Sequence, residues 1–249
     1  MIPPVLERGE LEVLGRMPWA SNHTYLGRLC LDGPGEGGVP EKQGPGGVPE
    51  KQEALAVYKP RRGERPLWDF PEGTLCQREV ASHLVSEGLG WAIVPPTILR
   101  PGPLGEGMVQ LFVDHDPENH YFTLRDAYRD RFRQFALFDV VINNADRKSG
   151  HCLLDADGHV WGIDHGVTFH QSVKLRTVIW DFEGERIEDD LAAGLARLDD
   201  GLDGELGLEL ACLLAPADVD AARRRLKWLL SRRVFPSPMT DYPYPWPMV

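Results

Sequence analysis

Apolar residues recur along this chain with two different periods, and the switch between them falls near residue 113. Before it, short runs rich in branched and aromatic residues, bounded by Gly, Pro, Asn and Ser, predict strands over 11–14, 24–31, 54–59, 94–99 and 107–113. One helical pattern interrupts them. Thr74 followed by Gln77 fits a capping box, and Glu79, Ala81, His83, Leu84 and Val85 continue a helix that stops at Gly88 and Gly90, with Glu79 in its first turn. After the polar run DHDPENH, Thr123 and Asp126 predict the cap of a long helix, because Leu124, Ala127, Phe135, Phe138, Val141 and Ile142 follow at helical spacing. Two more amphipathic helices are predicted over 187–198 and 216–230. The expected fold class is therefore α+β, with a β-rich part over 1–113, a mainly helical part over 114–234 and a tail over 235–249.

Two segments carry no such period. Residues 32–53 hold GGVPEKQGP followed by GGVPEKQEA, a short duplication of Gly, Pro and charged residues that cannot bury a core and predicts a mobile insertion without a catalytic part. The last stretch, FPSPMTDYPYPWPMV, has five prolines and cannot be helical; it predicts an extended cover over the surface or a docking peptide.

Composition narrows the function classes. With 249 residues, 42% hydrophobic and 26% charged, the chain has the balance of a folded globular protein. A net charge of −11 argues against a nucleic-acid surface, which needs clustered Lys and Arg. No apolar run is long enough to span a membrane, and acids stand where a secretory leader would be basic and then apolar, so the cytoplasm is the expected compartment. The four cysteines lie far apart, without the paired spacing of a zinc knuckle.

The candidate chemistry is concentrated in residues 140–170, VVINNADRKSGHCLLDADGHVWGIDHGVTFH. A turn through Asp157-Gly158 predicts a hairpin that brings Asp146 and Asp164, at its two ends, near each other, and paired acids are a recurring way to hold a metal ion and orient a nucleophile. Elsewhere, the loop between the first two strands offers Ser21, Asn22 and Thr24 to phosphate oxygens. Lys59 ends an apolar strand, and Glu79 supplies a helical carboxylate. His151, His159, His165 and His170 crowd the same region as the two acids, which leaves a His/Asp metallohydrolase as an alternative.

The runs YKPRRGERPLWDFP, REVASHLVSEGLG, NNADRKSGHCLL and GIDHG, in that order, resemble the phosphatidylinositol 3-/4-kinase-like superfamily, nearest to small bacterial members. HipA-type kinases and type II phosphatidylinositol 4-kinases share a similar N-x-D-R loop and a later I-D-x-G. The resemblance spans roughly residues 11–182 and implies a two-lobed, protein-kinase-like fold, the first lobe an antiparallel sheet plus one helix. It further implies ATP and Mg or Mn as cofactors and an unidentified hydroxyl acceptor. Carried over by position, Lys59 contacts the nucleotide phosphates and Glu79 pairs with it. Asp146 is the catalytic aspartate that orients or deprotonates the acceptor, Lys148 steadies the transferring phosphoryl group, Asp164 is the main metal ligand, and Gln110, Leu111, Phe112 and Val113 form the hinge that receives adenine. One departure stands out: where these kinases place a metal-binding asparagine, this chain has His151. Imidazole is a poorer ligand for magnesium than an amide oxygen but suits manganese, so either metal use is altered or another group such as Asn144 supplies the oxygen. An inactive nucleotide-binding module and an AMP transferase are consistent with the same motifs. The stretch after Asp164 holds only Lys174 and Arg176, too few cations to favour an anionic lipid acceptor over a protein or small-molecule hydroxyl.

Overall fold

The computed structural model describes residues 2–18, 22–32 and 51–249, so Ser21 and nearly all of the duplicated insertion lie outside the described residues. The chain divides into two compact units, one made of 1–65 and 96–112, the other of 66–95 and 113–249.

In the first unit a short helix, α1 (Pro4–Arg8), precedes five strands: β1 (Glu10–Arg16), β2 (Tyr25–Leu31), β3 (Gln52–Pro60), β4 (Thr97–Gly102) and β5 (Gly105–Leu111). They form one antiparallel sheet in the order β1-β2-β3-β5-β4. The five expected strands all exist, but β4 begins three residues late. Pro95 and Pro96 carry no N–H for a ladder, and the Val94 N–H is taken by the Ser86 hydroxyl at 3.1 Å. The strand then runs on through Pro101 to Gly102, which pairs with Gly105 across a two-residue turn. Alternation sorts the faces: Leu29, Ala56, Tyr58 and Val109 pack with Val5 and Leu6 of α1 into a small core. Lys59, opposite Met108, and Gln110, opposite Val57, belong to the other face.

The second unit is helical. Its elements are α2 (Leu75–Leu89), α3 (Tyr121–Leu124), α4 (Arg129–Ile142), the hairpin β6 (Cys152–Leu154) with β7 (Val160–Gly162), then α5 (Asp189–Leu202), α6 (Glu205–Leu213) and α7 (Pro216–Arg232). The core is one continuous cluster in which Leu89, Phe132, Phe135, Phe138, Leu195, Leu198, Leu226 and Leu229 are all fully buried. Burying one such side chain stabilises by about 1.5–3 kcal/mol, which is why α4, apolar on nearly every side after Phe132, sits at the centre.

Three local expectations change. Thr74 does not form a capping box: its hydroxyl donates to Pro71 O at 2.8 Å and accepts from Arg78 Nε at 3.3 Å. Because α2 starts at Leu75, Glu79 lies in the second turn instead of the first. The helix expected from Thr123 is two, since α3 ends at Leu124 and α4 starts only at Arg129; in α3 it is the Thr123 hydroxyl that accepts the His120 N–H at 3.0 Å. Among the described residues no helix is long and apolar enough to cross a membrane.

Candidate active site

The loop after α4 is shaped by its asparagines and a buried ion pair. Asn143 closes the helix in the left-handed region, at φ 52°. Its amide donates to His170 O at 2.8 Å and Ser172 O at 2.7 Å, and its oxygen accepts the Lys174 N–H at 2.9 Å. Asn144 donates to Asp139 at 2.9 Å, and its oxygen accepts the Asp146 N–H at 3.0 Å. That oxygen already accepts one bond inside the loop, on a fully buried residue.

Beneath Asp146 lies a network centred on Asp139 and Arg147, both with 0% side-chain exposure. Arg147 Nη2 donates to Asp139 at 2.9 Å and to His165 Nε2 at 2.6 Å, and its Nη1 donates to Ile163 O at 3.2 Å. The Thr177 hydroxyl donates to the other Asp139 oxygen at 3.2 Å. Burial is the largest influence and opposes the charge on Arg147, but Asp139, Cys152 and Asp164 together outweigh it and hold the guanidinium above its ordinary pKa. Because arginine only donates, His165 Nε2 is an acceptor here, which fixes the tautomer of that ring.

The hairpin then sets the second acid beside the loop. Cys152 pairs with Gly162, and one step further the Ile163 N–H donates to His151 O at 3.0 Å. This register delivers His151 Nε2 to within 3.5 Å of the Asp164 carboxylate. Asp164 itself has φ 60°, a left-handed conformation uncommon outside glycine that turns its backbone sharply at this point. On the other side, Lys148 Nζ stands 3.2 Å from the Asp146 carboxylate. Burial pushes the Asp146 pKa up, Lys148 draws it back and the Asp164 charge pushes it up again, leaving it above its ordinary value. The two acids are thus electrostatic neighbours with distinct partners.

Glu79 completes this group from α2: its carboxylate accepts the His165 N–H at 2.8 Å, next to Asp164. One residue earlier, the buried Arg78 donates to Thr168 O at 2.6 Å and pairs with Asp218 of α7 at 2.9 Å. Two adjacent charges on α2 therefore hold both ends of the 165–168 turn.

The four histidines do not converge. His151 faces Asp164, His165 meets Arg147, His159 Nε2 lies 2.8 Å from both Arg131 Nη2 and Ala92 O, and His170 packs edge-on against Phe70. Among the described residues no group of three or more His, Cys, Asp or Glu side chains is placed to hold a metal ion by itself. The donors that do meet, one carboxylate and one imidazole beside a second carboxylate, fit a divalent cation whose remaining ligands come from phosphate oxygens or water, and the nitrogen favours manganese.

In the first unit, Lys59 and Gln110 share the sheet face opposite α1, and the Gln110 amide donates to Thr97 at 2.8 Å. Phe112 extends the ladder through its N–H to Leu55 O at 3.0 Å, and the chain passes into the second unit between Phe112 and Val113. Asn22 and Thr24 are engaged in their own loop: Asn22 Oδ1 accepts the Arg65 N–H at 2.9 Å, and the buried Thr24 hydroxyl lies 3.5 Å from Asn22 O.

With this geometry the comparisons with known proteins agree. Protein Rv2133c of Mycobacterium tuberculosis is 41% identical over 278 residues, covering 98% of this chain and 94% of that protein. The family described as phosphatidylinositol 3- and 4-kinase matches residues 100–187, the span that holds Asp146, His151 and Asp164. This chain belongs to the phosphatidylinositol 3-/4-kinase-like atypical kinases. The crystal structure of the Helicobacter pylori proinflammatory kinase CtkA overlays with a TM-score of 0.51 at 11% identity, covering 92% of this chain and 94% of that one. At such identity the likeness is one of fold, and the fold is that of kinase-like phosphotransferases.

Several residues of this atypical kinase escaped the motif reading. Arg147 stands in the N-x-D-R run but was given no part there, and Asp139 was passed over although a signal existed: it is the one charge in FALFDVVI, and a charge in so apolar a run requires a buried partner. Arg78 and Asp218 had no local signal, since they lie 140 positions apart and meet only through tertiary packing.

Proposed function

We propose that this chain is an ATP-dependent phosphotransferase that moves the γ-phosphoryl group, carried with Mg or Mn, to a protein or small-molecule hydroxyl. The observation that carries the reading is the pairing of unequal acids: Asp146 beside Lys148, and Asp164 beside His151, each within 3.5 Å of its partner. Asp146 orients the acceptor hydroxyl and takes its proton; its raised pKa makes it a better base than an ordinary aspartate. Lys148 counters charge on the transferring group and Asp164 holds the cation, with His151 as the second donor. A bound cation supplies charge neutralisation across the phosphates. Lys59 is assigned to the nucleotide phosphates and Gln110–Val113 to the adenine edge. Lys174 is already engaged, 2.7 Å from Asp69 and 5.2 Å over the Trp68 ring, so the stretch after Asp164 has little positive charge left to receive a lipid headgroup.

The test is stabilisation by nucleotide followed by transfer. ATP with Mg or Mn raises the unfolding temperature of the wild-type chain, as any ligand that binds only the folded state must. Asp164→Ala loses that rise, whereas Asp146→Ala keeps it and loses transfer. No rise with either metal refutes the reading. A rise without transfer to any hydroxyl acceptor leaves a binding module in its place.

A further inference from the structure

The proline-rich end of the chain lies on the loop that carries Asp146. The Ser149 N–H donates to Met248 O at 2.8 Å, the Thr177 N–H to Pro243 O at 3.0 Å, and the Trp180 indole N–H to the same Pro243 oxygen at 3.2 Å. Pro245, between them, is buried. These donors belong to one paired ribbon: the Arg147 N–H donates to Arg176 O at 3.0 Å and the Val178 N–H to Arg147 O at 3.1 Å. Asp146 and Lys148 flank Arg147, so the tail runs along the edge of the same backbone that holds the candidate base.

The recognition is directed at carbonyl groups. All three bonds end on tail oxygens, while Tyr242, Tyr244 and Trp246 leave 77%, 51% and 89% of their surface exposed. Burial of large apolar side chains therefore does not explain the docking. Alternating prolines at 243, 245 and 247 suit such an edge, because proline offers a carbonyl and brings no N–H that would need an acceptor. A ribbon that presents N–H donors at intervals takes the carbonyls of a polypeptide, not a lipid headgroup or a small polar molecule.

We propose that the edge formed by Ser149, Thr177 and Trp180 is the docking site for a polypeptide acceptor, recognised through its backbone carbonyls, and that residues 243–249 of this chain occupy it in cis until an acceptor displaces them. The acceptor role rests on the reading of Asp146 as the base; the docking does not.

The experiment uses the full chain, a chain ending at Tyr242, and full-length Trp180→Phe, which keeps the ring and removes the indole donor. A fluorescently labelled peptide, PYPWPMV, is titrated into the shortened chain without nucleotide, and transfer from ATP with Mn to dephosphorylated casein is measured for all three. The peptide binds the shortened chain and not the full one. Adding Trp180→Phe to the shortened chain weakens that binding about fivefold, the loss of one neutral hydrogen bond. Shortening speeds casein phosphorylation, added peptide slows it again in competition with casein and not with ATP, and full-length Trp180→Phe shows a smaller rise. Absence of peptide binding to a shortened chain that melts like the full one overturns the proposal. So does a shortened chain that is slower and is rescued by peptide, because that describes a structural clasp. Should the shortened chain fail to fold, unchanged or reduced transfer by full-length Trp180→Phe overturns it equally. Loss of all ATP-dependent stabilisation and transfer, with peptide binding intact, instead overturns the phosphotransferase reading and the acceptor role with it.

Discussion

Replacing Asp139 with alanine tests whether the buried network, and not only the named motif residues, holds the site together. Asp139 and Arg147 have no side-chain exposure, and Asp139 accepts from Arg147, Asn144 and Thr177 at 2.9–3.2 Å. Removing one partner of a buried ion pair strands the other charge and typically costs about 3–5 kcal/mol. That is a large share of a total stability of about 5–15 kcal/mol. For a chain of this size, at about 2–4 °C per kcal/mol, the unfolding temperature falls by roughly 6–20 °C. Thermal unfolding followed by circular dichroism reads it directly. A paired change, Asp139→Leu with Arg147→Met, separates stability from function. Exchanging a whole buried pair for apolar groups of similar volume is often neutral, so most of the lost stability returns. Transfer does not return, because Arg147 also ties Ile163 O and His165 Nε2 to the catalytic loop. A fall below 3 °C for Asp139→Ala, or wild-type transfer by the paired variant, refutes the reasoning.

Three further outcomes follow from the same geometry. His151→Asn restores an amide oxygen beside Asp164 and should shift the metal preference from Mn towards Mg, read as the ratio of transfer rates in the two metals; an unchanged ratio removes His151 from the metal site. Lys148→Met removes the charge that draws the Asp146 pKa down, so the acid limb of the transfer rate moves to higher pH; an unmoved limb means that Asp146 is not the group observed. The ring of His83, buried in α2 with Nδ1 3.3 Å from Val94 O, has its pKa pushed down by burial. In the unfolded chain the ring binds a proton below about pH 6.5, and the folded chain resists it. Stability is therefore full above that pH and lost as pH falls, at no more than about 1.4 kcal/mol per pH unit from this group. His83→Phe flattens the fall in unfolding temperature between pH 7 and 5, and an equally steep fall in that variant assigns it elsewhere.

What could be read from the sequence was local. Strands, helices and the Asp157-Gly158 turn follow from period and turn chemistry over a few residues, and the hairpin that places His151 against Asp164 is built from such signals alone. Misplacements arose where a distant or neighbouring group claimed the signal: Thr74 looks like a cap but is occupied by Pro71 and Arg78, and the Thr123 pattern belongs to a separate short helix. The site follows the same division. Asp146, Lys148, His151 and Asp164 are close in sequence and were legible. The supports Arg78, Thr177 and Asp218 act across separations that no periodicity encodes, whereas Asp139 lies close to Arg147 and left a signal only as the one charge in an apolar run.

The placement of α2 shows why those supports matter for mechanism. Residues 66–95 group with the helical unit, and adjacent residues of α2 hold the turn after Asp164: Glu79 through the His165 N–H, Arg78 through Thr168 O and Asp218. The carboxylate assigned to pair with the nucleotide lysine is thus already an anchor of the turn that follows Asp164. Rotation of α2 that withdrew Glu79 would leave the His165 amide without its acceptor at a buried position, a loss of about 1–3 kcal/mol. Arg78, equally buried, would be drawn from its carboxylate in the same movement. The cost of moving the helix therefore falls on the turn that presents Asp164, so in this chain the position of Glu79 and the geometry around Asp164 change together or not at all.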